Sequence, residues 1–242
     1  SAVGGYVHDL TLRGSITTEM GRVGSLASMA LTGARIENIT SYVDITAGNN
    51  QVGGIIGYCA KENVKITNCV NYGKVKGALA GGMGPGYAAY CLNNGEISGH
   101  EIYGVAGGDA LCCINAGNLS PACISSSEFV YSAVGVGYNT ERCVNTGIIR
   151  CDLSEAKTVS IYGVSAGIAT DCYNGGRIEI TDACESGTIE ISGIGSRAQN
   201  CVNDAEIKVT SAGGVSIYGV AELAAVNCVN NMPLTADRTG VS

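Results

Sequence analysis

The chain has 242 residues, 45% of them hydrophobic, which is ample to bury a core. Its 14 Lys and Arg against 21 Asp and Glu give a net charge of −7. No basic stripe is available to neutralise phosphates, so nucleic acid and anionic membrane surfaces are excluded as expected partners.

Thirty-six glycines, a single Phe, no Trp and three prolines point to close backbone stacking around a thin interior of small aliphatic side chains. No run approaches the roughly 18 apolar residues of a spanning helix, so no membrane insertion is expected. No charged-then-apolar segment opens the chain as a signal peptide would, and with Ser1 in place of an initiator Met it reads as a mature or excised fragment.

One pattern returns along the chain, most complete as Asn-Cys-Val-Asn-Tyr-Gly-Lys-Val at Asn68 to Val75. The first copy is anchored at Leu10, with Leu12, Gly14 and Ile16 two, four and six residues later. The second has Ile39, Ser41, Val43 and Ile45, and the third Cys69, Asn71, Gly73 and Val75. The fourth to seventh are anchored at Cys91, Cys113, Cys143 and Cys172, followed by Asn93, Asn115, Asn145 and Asn174, by Gly95, Gly117, Gly147 and Gly176, and by Ile97, Leu119, Ile149 and Ile178. The eighth has Cys201, Asn203, Ala205 and Ile207, and the ninth Cys228, Asn230, Met232 and Leu234.

Residues two and six places after the anchor share its side of an extended chain, because strand side chains alternate with period two. The pattern therefore predicts an all-β protein: a right-handed parallel β-helix of nine coils, 22–30 residues each, as a single repeat domain over residues 1–242. The seven asparagines are expected to form an internal ladder, since stacked strands lie about 4.8 Å apart. The glycine two residues after five of them is expected to turn the corner of the coil through a conformation that a Cβ resists. The charged residues Lys74, Lys76, Glu96, Arg150, Arg177, Glu179, Glu206 and Lys208 fall on the outward side, where opposite signs can pair between coils.

A second strand precedes the later anchors, as Ile102-Tyr103-Gly104-Val105, Ile161-Tyr162-Gly163-Val164 and Ile217-Tyr218-Gly219-Val220, with Val52 to Tyr58 as its earliest clear form. Glycine in the middle of these runs argues against helix, at about 1 kcal/mol relative to alanine. The longer coils carry extra residues at Arg150 to Val159 and Thr181 to Gly187, expected to project from one side of the stack.

The candidate sites are few. No Cys-x-x-Cys occurs and His8 and His100 are the only histidines, so no metal or other cofactor is expected. The anchor cysteines Cys69, Cys91, Cys113, Cys143, Cys172, Cys201 and Cys228 are expected to be buried free thiols, because parallel Cβ vectors on neighbouring coils do not suit a disulfide. Any disulfide would involve Cys59, Cys112, Cys123, Cys151 or Cys184. Tyr103, Tyr162 and Tyr218 hold equivalent places and form a candidate binding row for sugar rings or a protein. The acids Asp152, Glu155, Asp182, Glu185 and Glu190 could pair as acid and base, but no pair stands out and no catalytic residue is assigned.

With both phrases in register, the chain resembles the GLUG-motif repeats of bacterial cell-surface proteins. The residues that carry the likeness are Gly53 to Tyr58, Cys143 to Gly147 and Cys172 to Gly176. The resemblance implies a secreted or surface-attached bacterial location and a place within a larger multidomain protein, and it supplies no catalytic residues. The expected function is a non-catalytic adhesion and spacer domain for a host protein or glycan. The alternatives are a polysaccharide lyase or glycoside hydrolase on the same scaffold, and a pure structural spacer. Uncapped solenoid edges would also permit end-to-end self-association.

Overall fold

The computed structural model describes residues 1–19, 21–48, 51–59, 63–122, 130–153, 158–182 and 188–238. Every regular element among them is a β-strand, and the strands stack in parallel as a β-solenoid. The larger sheet contains 23 strands, the smaller eight, and Ala2–Val3 pairs separately with Met29–Ala30. Each coil contributes strands around its anchor to the larger sheet, such as Tyr87–Ala89, Leu92–Asn93 and Ile97–Gly99, then one strand to the smaller sheet, such as Glu101–Tyr103. Nine rungs stack on the larger sheet but only eight on the smaller, so the closed circuits are slightly fewer than the nine coils expected.

The stacking register is the one the repeat predicts. Asn71, Asn93, Asn115, Asn145, Asn174, Asn203 and Asn230 lie directly over one another. The aliphatic row from Ile16 to Leu234 is continuous through all nine rungs.

Between these two rows the structure corrects the role of glycine. The chain does bend at Gly73, Gly95, Gly117, Gly147 and Gly176, but the left-handed corner lies one residue before the anchor, where Asp9, Asn38, Asn68, Tyr90, Cys112, Arg142, Asp171, Asn200 and Asn227 all have φ between 52° and 56°. Six of the nine are Asn or Asp, the side chains that best tolerate the left-handed region. Among the repeat glycines only Gly14 has a positive φ. The others are glycine because the coils approach too closely for a Cβ: one added at Gly95 would lie 1.9 Å from the Gly73 carbonyl oxygen, and one at Gly117 2.0 Å from that of Gly95.

The interior divides into two apolar lobes. One contains the anchor thiols with Met83, Val105, Val136, Val164 and Ile194. The other contains the aliphatic row with Ile102, Ile161 and Ile191 of the smaller sheet. The asparagine row runs along the waist between them. Each of Asn71, Asn93, Asn115, Asn145 and Asn174 donates from Nδ2 to Oδ1 of the asparagine in the next coil at 2.8–2.9 Å. Asn203 donates likewise to Asn230 at 2.7 Å. In most coils the same Nδ2 also reaches the carbonyl two residues on, as from Asn93 to Gly95 at 2.9 Å.

A glycine immediately after a strand of the smaller sheet faces every one of these amides. A Cβ on Gly54, Gly82, Gly104, Gly135, Gly163, Gly193 or Gly219 would come within 2.4–3.0 Å of the side-chain atoms of the facing asparagine. The glycine inside each Ile-Tyr-Gly-Val phrase is thus a seat for a carboxamide. One coil earlier the seat is lost together with its occupant, because Ser25 follows Gly24 in register with Gly54, and Ser41 lies above Asn71.

The ladder therefore starts at Asn71, whose Oδ1 is buried and has no hydrogen-bond partner among the described residues. A buried acceptor left unpaired costs about 1–3 kcal/mol. Extending the ladder by Ser25→Gly with Ser41→Asn is expected to recover about 1 kcal/mol, net of the lost Ser25 Oγ bond to the Gly54 carbonyl. Ser41→Asn alone is expected to destabilise, because the Ser25 side chain occupies the seat. A thermal-melt double-mutant cycle checks both signs.

Of the extra residues of the long coils, 154–157 and 183–187 lie outside the described residues, so their expected projection is not described. The others lengthen the strands on both sheets, to Ile149–Leu153 and Thr158–Tyr162 in one coil and to Ile178–Asp182 and Thr188–Ser192 in the next. Outward charges pair between coils as expected, Lys74 with Glu96 at 3.2 Å and Arg150 with Glu179 at 2.6 Å. Such exposed pairs contribute no more than about 1 kcal/mol each.

Candidate ligand-binding groove

Tyr103, Tyr162 and Tyr218 occupy one column of the smaller sheet, but Val134 and Ser192 stand between them. Two rungs separate neighbouring tyrosines, about 10 Å at the usual strand spacing, so their rings form no continuous row. Tyr103 is half-buried and its hydroxyl donates to Glu101 Oε1 at 2.7 Å. Burial first, and then that carboxylate, push its phenol well above the ordinary range. Burial also raises Tyr162, with Glu222 and Glu190 adding to it.

Tyr103 borders the first of three adjoining depressions. This one, about 190 Å³, is lined by Gln51, Leu79, Gly81, Pro85, Glu101 and Tyr103. Pro85 also lines a second, about 420 Å³, bounded by Cys59, Asn63, Tyr87 and Asp109. Tyr87 and Asp109 in turn border the third, about 350 Å³, which continues to Asn139, Glu141, Ile168 and Thr170. The depressions follow from the sequence locally. Glycines at Gly53 and Gly81 precede Tyr103 in its column, so the tyrosine ring stands at the end of a strip without side chains.

The polar side chains of the groove are held by their neighbours. Asn139 Nδ2 donates to Asp109 Oδ1 at 2.9 Å, and its Oδ1 accepts from the Ile168 N–H at 3.0 Å. Glu141 pairs with Arg142 at 3.1 Å. Burial pushes the Cys59 thiol up to about 11, so that sulfur is an unreactive wall.

The anchor thiols are packing groups. Cys69, Cys91, Cys113, Cys143, Cys172 and Cys201 are at most 3% exposed, and each sulfur bonds the carbonyl two residues before it at 3.1–3.3 Å. Cys228, in the last rung, makes the same bond at 3.2 Å. The seven anchors and the off-ladder Cys59 and Cys112 are free thiols, Cys151 is buried, and Cys123 and Cys184 lie outside the described residues. A thiol titration in denaturant is expected to count at least nine groups, while the native protein leaves the six buried anchors unreacted. A denatured count below nine would contradict this packing.

Of the acids singled out in the sequence, Glu155 and Glu185 lie outside the described residues, and nothing is described of the Asp182 side chain. Asp152 sits on the larger sheet and Glu190 on the smaller, so the strands do not place them side by side. No group of three or more His, Cys, Asp or Glu among the described residues is arranged to hold a metal ion.

Sequence reasoning missed Tyr87, Gln51, Asp109 and Asn139. It also missed an outer stack at the third position after the anchor, where the Arg13 guanidinium lies 4.3 Å from the Tyr42 ring centre and Tyr42 stacks on Tyr72 at 4.9 Å. Repeat position alone signals that stack, because all three residues hold the same place in successive coils.

Compared with protein-family models, curated proteins and solved structures, the chain finds no match.

Proposed function

We propose that the chain is a non-catalytic β-solenoid domain of a secreted or surface-attached bacterial protein, which carries a ligand-binding groove on a rigid spacer. The groove bordered by Tyr103 and Tyr87 carries this reading, because adjoining concavities with fixed polar groups are the ordinary form of a binding site. The nine rungs support the spacer role, since each coil stiffens its neighbours along one axis. The likeness of both repeat phrases to GLUG repeats supports the surface location.

A screen of the protein against glycans and host-matrix proteins, run beside a reducing-end assay on the same polysaccharides, tests the reading. Binding without turnover is the expected result. Turnover would favour a lyase or hydrolase, and silence in both arms would leave a spacer alone.

The same reading includes end-to-end association of two copies. The outer rungs leave Leu10 39%, Val229 48% and Leu223 61% exposed, along edges whose backbone can pair with another strand. Sedimentation velocity is expected to show concentration-dependent dimers, and a strictly monomeric protein at high concentration would remove this part of the proposal.

A further inference from the structure

We infer that the three adjoining depressions bind one linear, electrically neutral oligosaccharide, a sugar ring in each. The inference rests on the ligand-binding reading above and names the class of ligand.

Aromatic surface comes first. Tyr103 and Tyr87 border the groove at its first depression and at the partition between its second and third. The C–H faces of a pyranose pack on such rings, and the ring edges carry hydroxyls outward to polar groups. The Tyr103 ring is already fixed by its bond to Glu101, so little freedom is lost when a sugar docks.

The polar complement matches sugar hydroxyls in the same way. Glu101 and Asp109 each accept one bond from the protein, and an ionised carboxylate offers roughly four lone-pair sites. The Asn139 amide is pinned through both its atoms, which leaves a donor hydrogen on Nδ2 in a set direction.

Charge narrows the class. Glu101, Asp109 and Glu141 line the groove, and none of the described residues lining the three depressions is Lys or Arg. Glu141 is balanced by Arg142, but uronates, sulfated sugars and sialylated chains would meet the like charge of Glu101 and Asp109. A folded protein partner suits the groove less well, because specific protein interfaces bury about 1,200–2,000 Å² over broad patches, whereas these are small adjoining depressions.

The test is an NMR titration of the isotope-labelled chain with neutral oligosaccharides of one to five units, of the gluco, manno, xylo and N-acetylglucosamine series, beside oligogalacturonate and a poly-lysine peptide. One neutral series is expected to shift amides of the groove, with Kd falling as the chain lengthens to three units and level thereafter. Tyr103→Ala and Tyr87→Ala are each expected to weaken it at least tenfold with an unchanged fold.

Gly81→Val supplies a variant that fills the first depression, since a Cβ there meets nothing nearer than 3.5 Å. It is expected to reduce the length dependence to two units. Equal binding of oligogalacturonate, binding of the peptide alone, or sugar binding that all three variants leave intact would overturn the inference. Binding elsewhere on the solenoid would do so while sparing the wider ligand-binding proposal, and no binding to any glycan or matrix protein would sink both.

Discussion

Gly82→Ala is expected to leave the protein largely unfolded at 37 °C, and Gly81→Ala, one residue earlier in the same coil, to leave it as stable as the parent. Neither glycine has a positive φ, so backbone conformation does not separate them. The Cβ environment does. At Gly82 the new carbon would sit 2.4 Å from the Gly104 carbonyl oxygen and 2.7 Å from Asn93 Cγ, whereas at Gly81 the nearest atom is 3.5 Å away.

Relief at Gly82 requires two coils to move apart or the Asn93 amide to leave its ladder, and the cost is at least about 3 kcal/mol. Gly81→Ala instead removes freedom from the unfolded chain and is expected to be neutral to stabilising by up to about 1 kcal/mol. Tyr103 in the next rung of that column shows that the backbone there accepts a side chain. Chemical denaturation of the two variants checks the contrast, and equal midpoints would refute the carboxamide-seat account of the glycine column.

The same pair of residues explains what could and could not be read in the sequence. Register was legible because cysteine, asparagine and an aliphatic residue recur at fixed even offsets, and period two leaves only one way to face them inward. The cause of a glycine was not legible, since a turn needing positive φ and a contact without room for Cβ demand the same residue. The left-handed corner carried its own signal in the Asn and Asp of six coils, which Tyr90, Cys112 and Arg142 diluted in the other three. The groove was hidden for a different reason: Gln51, Tyr87, Asp109 and Asn139 come from four coils, and none belongs to the repeat phrases. Tyr103 was found because it recurs, with Tyr162 and Tyr218, inside the second phrase. The depression beside it depends on what is missing from the two rungs before.

Interrupting the asparagine ladder in its middle should cost far more than trimming its end. Asn115 accepts from Asn93 at 2.8 Å and donates to Asn145 and to the Gly117 carbonyl, both at 2.9 Å, in a site with no solvent exposure. Asn115→Ala removes all three bonds and strands the Asn145 acceptor, a loss of about 3–5 kcal/mol when two or more buried groups lose partners. Asn230, exposed in the last rung, has fewer buried groups to strand, and its alanine variant should lose about 1 kcal/mol.

Asn115→Asp separates hydrogen bonding from shape. The carboxyl must stay protonated to donate to Asn145 Oδ1, and burial favours that neutral form, so its folded pKa lies above the unfolded value of about 4. Stability is then near that of the parent below about pH 4 and falls by about 1.4 kcal/mol per pH unit above it, until the folded carboxyl ionises. A pH series of denaturation midpoints reads this directly. A flat difference between Asn115→Asp and the parent from pH 3 to 7 would mean that the ladder amide is filling space rather than relaying hydrogen bonds from coil to coil.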